Sequence, residues 1–455
     1  MRTFLASGGL ILSIAASAQW LPSGLPGSVL HLYDVVASPT GDTIYAAGSI
    51  QYDGPWQDNN PVFMYTDGTW TAMENLNGEV FTLVLYHDTL IVGGNFWLIE
   101  DTIPAGSLAY YSSDGWRPYG VVGDGQVIRK LRVIDDTLYA AGGFHSVDGH
   151  PAEGVIRREG SQWVSVGAWN VDDAVYAIDI VKYHNTLVTV GLMDFENGRG
   201  VSYLNNGEWT LLGPGILGGM SGAVCLAVYH DELYLGGQIA LSGGNAGQDI
   251  MRWNGQEFLP VDHGVQYNLN VYTGFSEVSS MAVHDDLLFV GGGFRYASGV
   301  PANGVAVWDG ERWCAPQGDI TATNYETHMA FYGDTLFVAG ADTADGVFVN
   351  YLAKFGGDNY RYTCSPVGVE EERSEEGMQL IPNPTSDVVH LMMPGPTAVG
   401  VALRVTDATG RVVQDRAISK AALDLDVSTW RSGIYTVSLM CDNVPFARSR
   451  LVVVH

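Results

Sequence analysis

Histidines and cysteines are the residues whose chemistry would suit a metal, and they recur in the chain at ordered places. The histidines that fall in a short polar turn between two apolar runs are His87, His184, His230 and His284. Equivalent turns of different repeats are held apart in a repeat fold, so a shared metal site is not expected, and these histidines are interpreted as polar turn residues. No two cysteines have the C-x-x-C spacing of a metal or redox motif. The sequence therefore predicts no metal site and no cofactor.

Acidic residues are frequent in the loops, and two facing carboxylates would suit hydrolysis of a glycosidic bond. The loop acids are Asp53, Asp58, Glu100, Asp101, Asp148 and Glu153. Some of so many acids will face each other by chance, so their abundance alone indicates no active site. The turns YTDGTW and SSDGW lack the spacing between glycine and tryptophan that the Asp box of sialidases requires. Nucleophile-elbow, phosphate-loop, HExxH and EF-hand motifs are also absent from the sequence, and no catalytic residue is predicted.

The charge of the chain excludes two classes of partner. Asp and Glu number 50 against 22 Lys and Arg, which gives a net charge of −28. A protein that binds phosphates needs clustered Lys and Arg, so neither nucleic acid nor an anionic membrane is expected as a partner. With 57 glycines and only 16% charged residues, the composition is typical of a turn-rich β protein.

Residues 1–18 have the features of a secretory signal peptide. They contain Arg2, an apolar stretch over residues 4–15, and the small residues Ala16 and Ala18. A bilayer span needs roughly 20 apolar residues, and no later segment qualifies. We therefore expect an exported mature chain without a transmembrane segment.

The chain has four cysteines, which are too few for a disulfide scaffold at this length. Cys314 and Cys364 lie near the ends of successive repeats, so they are the favoured pair if any disulfide forms. The sequence leaves open whether they pair.

A sevenfold internal repeat organises most of the chain. Apolar phrases such as TLIVGG and LLFVGG place a matched glycine at Gly48, Gly94, Gly142, Gly191, Gly237, Gly292 and Gly340. An aromatic residue follows each glycine about 20 residues later, at Trp70, Trp116, Trp163, Trp209, Phe258, Trp313 and Tyr360. The two series advance together with a spacing of 46 to 55 residues. The repeated phrases are therefore building units and not a unique active-site signature.

Each repeat alternates apolar and polar residues in short runs that are separated by polar turns, as in VFTLVLYHDTLIVGGNF. This pattern predicts four antiparallel strands in each repeat. Seven four-stranded sheets at this period predict an all-β fold, a seven-bladed β-propeller over residues 19–366, with its tryptophans buried between blades. The sequence leaves open whether Trp20 or Tyr360 belongs to the strand that closes the ring.

The repeats resemble those of kelch-like propellers in secreted bacterial proteins. The resemblance rests on a glycine pair followed by a distant aromatic residue, and on the phrase GGGFRYASGVPANGVAVWDG, which AGGFHSVDGHPAEGVIRREG echoes.

One side of the predicted propeller carries the loops that vary between repeats. In an up-and-down blade, the loops after strands two and four emerge on the same side. Phe96, Phe144 and Phe294 hold one repeat position and should point into the blades, whereas the next residue varies. Exposed aromatic residues offer large contact and sugar-stacking surfaces, although packing within its own loop is an equal alternative for each one. The predicted ligand-binding residues are Tyr52, Trp56, Trp97, His145, Tyr272, Arg295 and Tyr296, with Tyr267 near them.

The repeat ends after Pro366, and the acidic residues 367–378 are predicted to be an exposed linker. Residues 379–455 resemble the type IX secretion C-terminal sorting domain of Bacteroidota, with Trp430 and His455 as mild departures from the family pattern. The matching motif residues are Pro382, Asn383, Pro384, Asp407, Gly410, Arg411, Gly433 and Tyr435. The strand pattern predicts a small Ig-like β-sandwich. The resemblance implies recognition by the type IX machinery, and then secretion or display at the cell surface.

Two functions remain open from the sequence. The favoured one is an exported recognition or adhesion protein whose propeller loops bind a glycan or protein. The alternative is an extracellular polysaccharide-degrading enzyme, a glycosidase or lyase, which only an analogy of fold supports. Facing carboxylates or an arginine cluster in the central funnel would distinguish the two, and the arginines are scattered singly along the sequence.

Overall fold

The computed structural model of the chain is built from β-strands, which confirms the all-β prediction. It describes residues 19–25, 28–39, 42–51, 61–73, 75–100, 102–123, 126–171, 174–218, 222–267, 276–316, 320–321, 327–332, 335–356, 379–392, 401–407, 411–418, 422–441 and 444–455. The predicted signal peptide and acidic linker lie outside these residues, as does Tyr360. Within the described residues, no helix has the length and hydropathy to cross a bilayer.

The described chain divides into a larger unit before Pro366 and a smaller unit after it. Seven sheets of the larger unit follow one plan, with four antiparallel strands in the order one, two, three, four. The chain starts with β1 (Gln19–Pro22). The first sheet contains β2 (Ser28–Ala37), β3 (Thr43–Gln51), β4 (Val62–Thr66) and β5 (Thr69–Ala72). The second contains β6 (Glu79–Tyr86), β7 (Thr89–Asn95), β10 (Ser107–Ser112) and β11 (Gly115–Val121), with β8 (Leu98–Ile99) and β9 (Ile103–Pro104) in a loop.

The third to fifth sheets repeat this order. The third contains β12 (Val127–Ile134), β13 (Thr137–Gly143), β16 (Val155–Glu159) and β17 (Gln162–Ser165), with β14 (Ser146–Val147) and β15 (His150–Pro151) in a loop. The fourth contains β19 (Tyr176–Tyr183), β20 (Thr186–Phe195), β21 (Gly198–Asn205) and β22 (Glu208–Leu211), and β18 (Ala168–Trp169) joins its edge. The fifth contains β23 (Gly222–Tyr229), β24 (Glu232–Gln238), β25 (Ile250–Trp253) and β26 (Phe258–Pro260), with a 3-10 turn at Leu241–Gly243.

The sixth sheet contains β28 (Val278–His284), β29 (Leu287–Gly292), β32 (Val305–Trp308) and β33 (Trp313–Cys314). Beside it, β27 (Val265–Gln266), β30 (Tyr296–Ala297) and β31 (Val300–Pro301) form a small separate sheet. The seventh sheet contains β35 (His328–Tyr332), β36 (Thr335–Ala344) and β37 (Val347–Gly356), and β34 (Ile320–Thr321) pairs with the far end of β36.

The N-terminal strand β1 supplies the fourth strand of the seventh sheet. It pairs antiparallel with β37, and Trp20 lies opposite Phe355. Trp70 lies opposite Tyr65 in the same way in the first sheet. The structure thus gives Trp20 the place of a fourth-strand aromatic residue, which the sequence had left open.

The first strands of consecutive sheets pack against one another from β2 through β6, β12, β19, β23 and β28 to β35, and β35 also packs against β2. Apolar clusters join neighbouring sheets. One such cluster contains Val62 of the first sheet and Leu83 of the second. Burial of the fourth-strand tryptophans Trp116, Trp163 and Trp209 is confirmed, since each is at most 3% exposed.

The repeated glycine is required by the first strand of its own sheet. A Cβ atom on Gly94 would lie 2.1 Å from the backbone oxygen of Glu79, and one on Gly237 would lie 2.1 Å from that of Gly222. Atoms cannot approach so closely, so only glycine fits where the first strand bulges over the second. In the first six sheets, the repeated glycine therefore lies beside a β-bulge of the first strand.

The cysteines differ in state. Cys314 is disulfide-bonded, and the partner that the sequence favours, Cys364, lies outside the described residues. Cys225 is a free, buried thiol.

The smaller unit contains two sheets that share one apolar core. The strands of the first are β38 (Gln379–Ile381), β39 (Val388–Met392) and β42 (Ala422–Asp426). The strands of the second are β40 (Val401–Asp407), β41 (Val412–Ala417), β43 (Gly433–Cys441) and β44 (Val444–Val453). Leu391 and Leu425 from the first sheet pack with Leu403, Val437 and Leu451 from the second. Two facing sheets with one core agree with the predicted sandwich.

Candidate functional site

A polar cavity of about 90 Å³ lies among the first strands of the seven sheets. Every first strand contributes to its wall, including the short strand β35. The lining residues used below are Tyr33, Phe81, Arg129, Lys130, Arg132, Asp179, Cys225, Glu277, Ser280 and His328. Since most of these are polar or titratable groups in a recess, the cavity is the first candidate for a functional site.

Bulges in the first strands explain how so many polar residues reach the cavity. In a regular strand, consecutive side chains point to opposite faces. The pairing of β12 with β13 shifts between Ile128 and Lys130, which leaves Arg129 as an extra residue. Arg129 and Lys130 therefore both line the cavity although they are adjacent in sequence.

A bidentate ion pair at the cavity joins Arg132 to Asp179. The Arg132 Nε and Nη2 atoms donate to the two carboxylate oxygens of Asp179 at 3.0 Å and 2.7 Å. Asp179 is 1% exposed, and it also accepts the backbone N–H of Leu226 from the next sheet at 2.9 Å. Burial acts to lower the pKa of Arg132, but the charge and hydrogen bonds of Asp179 outweigh it, so the pKa is raised.

Asp34 has the corresponding position in the first sheet. Its Oδ2 accepts the backbone N–H of Leu83 in the second sheet at 3.0 Å, and its Oδ1 accepts that of Val35. Lys130 Nζ lies 3.4 Å from the same carboxylate. Thr82 accepts a backbone N–H from the third sheet in the same manner, from Leu131 at 3.1 Å. These bulge side chains connect the first strands of neighbouring sheets by side chain to backbone bonds.

His328 and Cys225 are uncharged groups in the cavity wall. Burial, together with the positive charges of Lys130 and Arg129, lowers the pKa of His328 to about 4. Burial, reinforced by the negative charges of Asp179 and Glu277, raises the pKa of the Cys225 thiol well above its ordinary value. At neutral pH the cavity therefore contains a neutral imidazole and a protonated thiol, and this thiol is not activated as a nucleophile.

The cavity corrects one inference from the sequence, namely that the arginines are scattered singly. Arg129, Lys130 and Arg132 converge on one recess because all three lie on β12. The phrase VIRKLRVI, with three cations within four residues of an acidic chain, was the available signal. Strict strand alternation would have separated Arg129 from the other two, so residue spacing alone does not group them.

We call one side of the larger unit the loop face. It consists of the sheet ends that carry the loops between strands two and three, together with the connections between consecutive sheets. Short hairpins in these loops pair with the preceding connections. Ile99 of one hairpin bridges to Leu76, and Val147 of another bridges to Val122. β30 pairs with β27 in the same way. The loops and connections thus share one side, as the strand order predicts.

Four of the residues predicted to bind a ligand are described, and all four lie on the loop face. Trp97 is 57% exposed. The His145 side chain is also exposed, and its Nδ1 lies 3.5 Å from a carboxylate oxygen of Glu153. Phe96, Phe144 and Phe294, which precede the variable residues, are at most 3% exposed, so their predicted inward orientation is confirmed.

Arg295 and Tyr296 form a local cluster with Tyr267. The Arg295 guanidinium lies over the Tyr267 ring, with Cζ 4.8 Å from the ring centroid. Tyr296 is the next residue along β30 and is partly buried. Among the described residues, no hydrogen bond, ion pair or ring contact joins this cluster to Trp97 or His145. Tyr52, Trp56 and Tyr272 lie outside the described residues.

Among the described residues of the larger unit, more of the exposed large apolar side chains lie on the loop face than at the opposite ends of the sheets. Sequence analysis did not select most of them because they are ordinary aliphatic residues. Large side chains that are more than a third exposed there include Trp97, Leu192, Leu217, Leu241, Tyr267, Val347 and Phe348. Phe348, at the tip of the β36–β37 hairpin, is 62% exposed. Such a set of apolar groups is typical of a surface that contacts another molecule.

The opposite ends of the sheets contain a repeated histidine contact that the sequence did not predict. The His87 Nε2 atom lies 3.0 Å from Asp136 Oδ1, in the corresponding turn of the next sheet. His184 contacts Asp231 at 3.1 Å in the same way, and the third such pair is His230 with Asp286. The histidines thus connect neighbouring turns. No group of three or more metal-ligating side chains occurs in the part of the chain that the structure describes.

Several of the predicted sorting residues make hydrogen bonds within the smaller unit. The Asn383 side chain donates to the backbone oxygen of Arg450 at 2.6 Å and accepts the N–H of Val452. Arg411 Nε donates to Asp407 Oδ2 at 3.2 Å, and Gly410 lies outside the described residues. The hydroxyl of Tyr435 donates to the backbone oxygen of Arg431. Pro382 and Pro384 flank Asn383, and Gly433 begins β43.

Residues 379–453 match the family model of the secretion system C-terminal sorting domain. No curated protein matches the sequence. The chain therefore carries a type IX sorting domain, and it is exported to the cell surface or secreted.

Several solved structures resemble the chain at low identity. PorZ, a surface component of the type IX secretion system of Porphyromonas gingivalis, is 16% identical with a TM-score of 0.42, and the alignment covers 96% of this chain and 61% of PorZ. The extracellular domain of a putative hybrid two-component system of B. thetaiotaomicron is 10% identical with a TM-score of 0.49, covering 96% of this chain and 58% of the other. A fungal alcohol oxidase of the AA5 family, in complex with copper, is 12% identical with a TM-score of 0.46, covering 96% and 98%. The chain thus spans about three-fifths of the first two proteins, and likenesses this distant assign no function.

Proposed function

We propose that the exported chain is a non-enzymatic recognition or adhesion protein. Its repeats, which resemble kelch-like repeats, would form a seven-bladed β-propeller over residues 19–366. The loop face of this propeller binds a glycan or a protein. In this proposal the predicted signal peptide starts export and the sorting domain completes it.

Two contacts support the propeller. The packing of β35 against β2 brings the first strands of the last and first sheets together. The pairing of β1 with β37 combines the N-terminal strand with the last repeat in one sheet. Joining the two ends of a repeat array in this manner leaves no unpaired sheet at either end.

Exposed side chains on the loop face are the observation that carries the recognition proposal. Among the described residues of the larger unit, Trp97 and Phe348 are the two most exposed aromatic residues, at 57% and 62%, and both lie on that face. Arg295 stacked on Tyr267 adds a cationic group supported by a flat ring. Aromatic residues and arginine contribute most of the binding energy in many interfaces. This composition suits the planes of sugar rings or the side chains of a protein partner.

The contacts of the cavity carboxylates support a role without catalysis. Asp34 and Asp179 each accept two backbone N–H groups and also face a cation. These contacts occupy both oxygens of each carboxylate and connect it to the backbones of its own and the next sheet. These two acids are therefore better suited to holding neighbouring strands together than to protonating a glycosidic oxygen.

The test combines a glycan array with a turnover screen on the same full-length mature protein. We expect retention on a defined set of glycans or on a protein ligand, with no release of reducing ends from the bound polysaccharides. Release of reducing ends or of unsaturated products at a rate proportional to protein concentration would instead establish the enzymatic alternative.

A further inference from the structure

We propose that the cavity among the first strands is a second binding site, which takes a carboxylate group and pairs it with Arg129. This site is separate from the loop face, and the argument for it does not depend on the recognition proposal.

Arg129 is the cation at the cavity that the fold does not neutralise. Arg132 is paired with Asp179, and Lys130 faces Asp34. Arg129 has no carboxylate partner among the described residues, and its observed contact is with Phe81, whose ring centroid lies 4.6 Å from its Cζ. Removing a charge from water is costly unless the charge is paired. A partly buried guanidinium without an anion is thus a group whose partner is expected to come from outside the chain.

The other charged groups of the cavity are already engaged. The oxygens of Asp34 and Asp179 accept backbone N–H groups from their own and the next sheet. Glu277, the third carboxylate in the wall, also has interactions of its own. Among the described residues, no hydrogen bond or ion pair joins any of these acids to Arg129. Its guanidinium can therefore make a bidentate contact with the carboxylate of a ligand.

Neutral groups beside Arg129 favour a small, singly charged ligand. His328 is uncharged at neutral pH and offers one donor and one acceptor nitrogen. Ser280 adds a hydroxyl to the wall. The volume of about 90 Å³ accommodates a carboxylate group with a few attached atoms, but not a whole oligosaccharide.

An aromatic row next to Arg129 indicates how the rest of the ligand would lie. The Tyr33 and Phe81 rings are in edge contact, with centroids 5.1 Å apart. Arg129 continues this row on the third sheet. Arg129 is the third residue of β12, so the row lies near the loop face, where first strands begin. The carboxylate could therefore belong to a free organic acid or to the terminal uronic acid of a longer sugar.

Calorimetric titration of the full-length mature protein tests this site. The probes are sodium acetate for the free acid and sodium glucuronate for the acidic sugar, with glucose and sodium chloride as the uncharged and ionic controls. We expect saturable binding of at least one carboxylate and none of glucose or chloride. Tighter binding of glucuronate than of acetate would identify the acidic sugar as the source, and the reverse order would identify the free acid.

Variants of two arginines separate this site from the loop face. Arg129→Gln should weaken carboxylate binding at least tenfold, and Arg129→Lys should weaken it less because the charge is kept. Arg295→Gln, on the loop face, should leave it unchanged. The melting temperature of each variant checks that it is folded. Unchanged affinity in a folded Arg129→Gln protein, or no binding of either carboxylate to the wild type at 20 mM, would overturn the proposal, whereas loss in Arg295→Gln alone would place the carboxylate on the loop face.

Discussion

The indole N–H of Trp70 donates to the backbone oxygen of Ser23 at 3.1 Å, although the two residues are 47 positions apart. Ser23 directly follows β1, which completes the seventh sheet. Four other fourth-strand tryptophans make the same bond to a residue at or near the end of the preceding fourth strand. These bonds join Trp116 to Met73, Trp163 to Tyr119, Trp209 to Val166 and Trp313 to Val261. The first and seventh sheets are thus joined by the same contact that joins four other pairs of neighbouring sheets.

Replacing Trp20 with Ala should strongly destabilise the larger unit. Trp20 is 4% exposed and packs edge-on against Phe355, with ring centroids 4.9 Å apart. Removal of a buried Trp side chain typically costs about 3 to 5 kcal/mol. Trp97→Ala is the matched control, because that side chain is exposed and should change stability by about 0.5 kcal/mol or less. Urea denaturation of the two variants measures the difference, and equal midpoints would mean that β1 does not complete the seventh sheet.

Replacing Gly237 with Ala should disturb the bulge of the fifth sheet. The new Cβ would lie 2.1 Å from the Gly222 backbone oxygen, so the first and second strands must separate. We expect a loss of about 1 to 3 kcal/mol or more. Gly222→Ala is the control, since a Cβ there meets nothing within 4 Å. The glycine explanation fails if thermal unfolding shows both variants to be equally stable.

The free energy of unfolding should fall as the pH rises from about 4 to about 7, because of Asp249. Burial raises the pKa of this carboxyl from 3.8 to about 7, against the opposing hydrogen bonds from Ser276 and Gln248. The folded state therefore binds more protons than the unfolded state between about pH 4 and pH 7. The favourable contribution is present in full below pH 4 and is lost as the pH rises through 7, with a size of roughly 4 kcal/mol.

Asp249→Asn isolates this effect from the other titrating groups. The variant cannot ionise, so the difference in unfolding free energy between wild type and variant should change with pH over the window from 4 to 7. Denaturant titrations at four pH values measure it. A difference that stays constant across this window would show that Asp249 ionises in the folded protein as it does in water.

The features that could be predicted from sequence are those with a local spacing. Gly237 and Trp209 mark their repeats because each lies at a fixed distance from a turn, where one residue type is required. The bulge requires glycine at position 237, and burial favours tryptophan at position 209. Phe144 could be assigned to the interior for the same reason. The sorting residues Asn383 and Asp407 could be identified because they lie in ordered motifs near the C-terminus.

The cavity could not be predicted because its residues come from distant repeats and from bulges. Arg132 and Asp179 are 47 positions apart, and nothing in their local sequence indicates that they pair. Arg129 and Lys130 point into one recess only because the register shifts between Ile128 and Lys130. The contact of His87 with Asp136 likewise depends on how neighbouring sheets pack, which repeat spacing does not specify.

The affinity of two matched variants for the ligand found on the array tests the central proposal, that the loop face performs recognition. The loop-face variant combines Trp97→Ala, Arg295→Gln and Phe348→Ser. The control combines Tyr111→Ala, Val133→Thr and Val283→Thr, whose side chains are 39% to 48% exposed near the opposite ends of the sheets. With both variants folded, we predict at least a tenfold loss of affinity for the loop-face variant and an unchanged Kd for the control, in line with the energetics of aromatic contact residues. Wild-type affinity in the loop-face variant, or a loss confined to the control, would contradict the account.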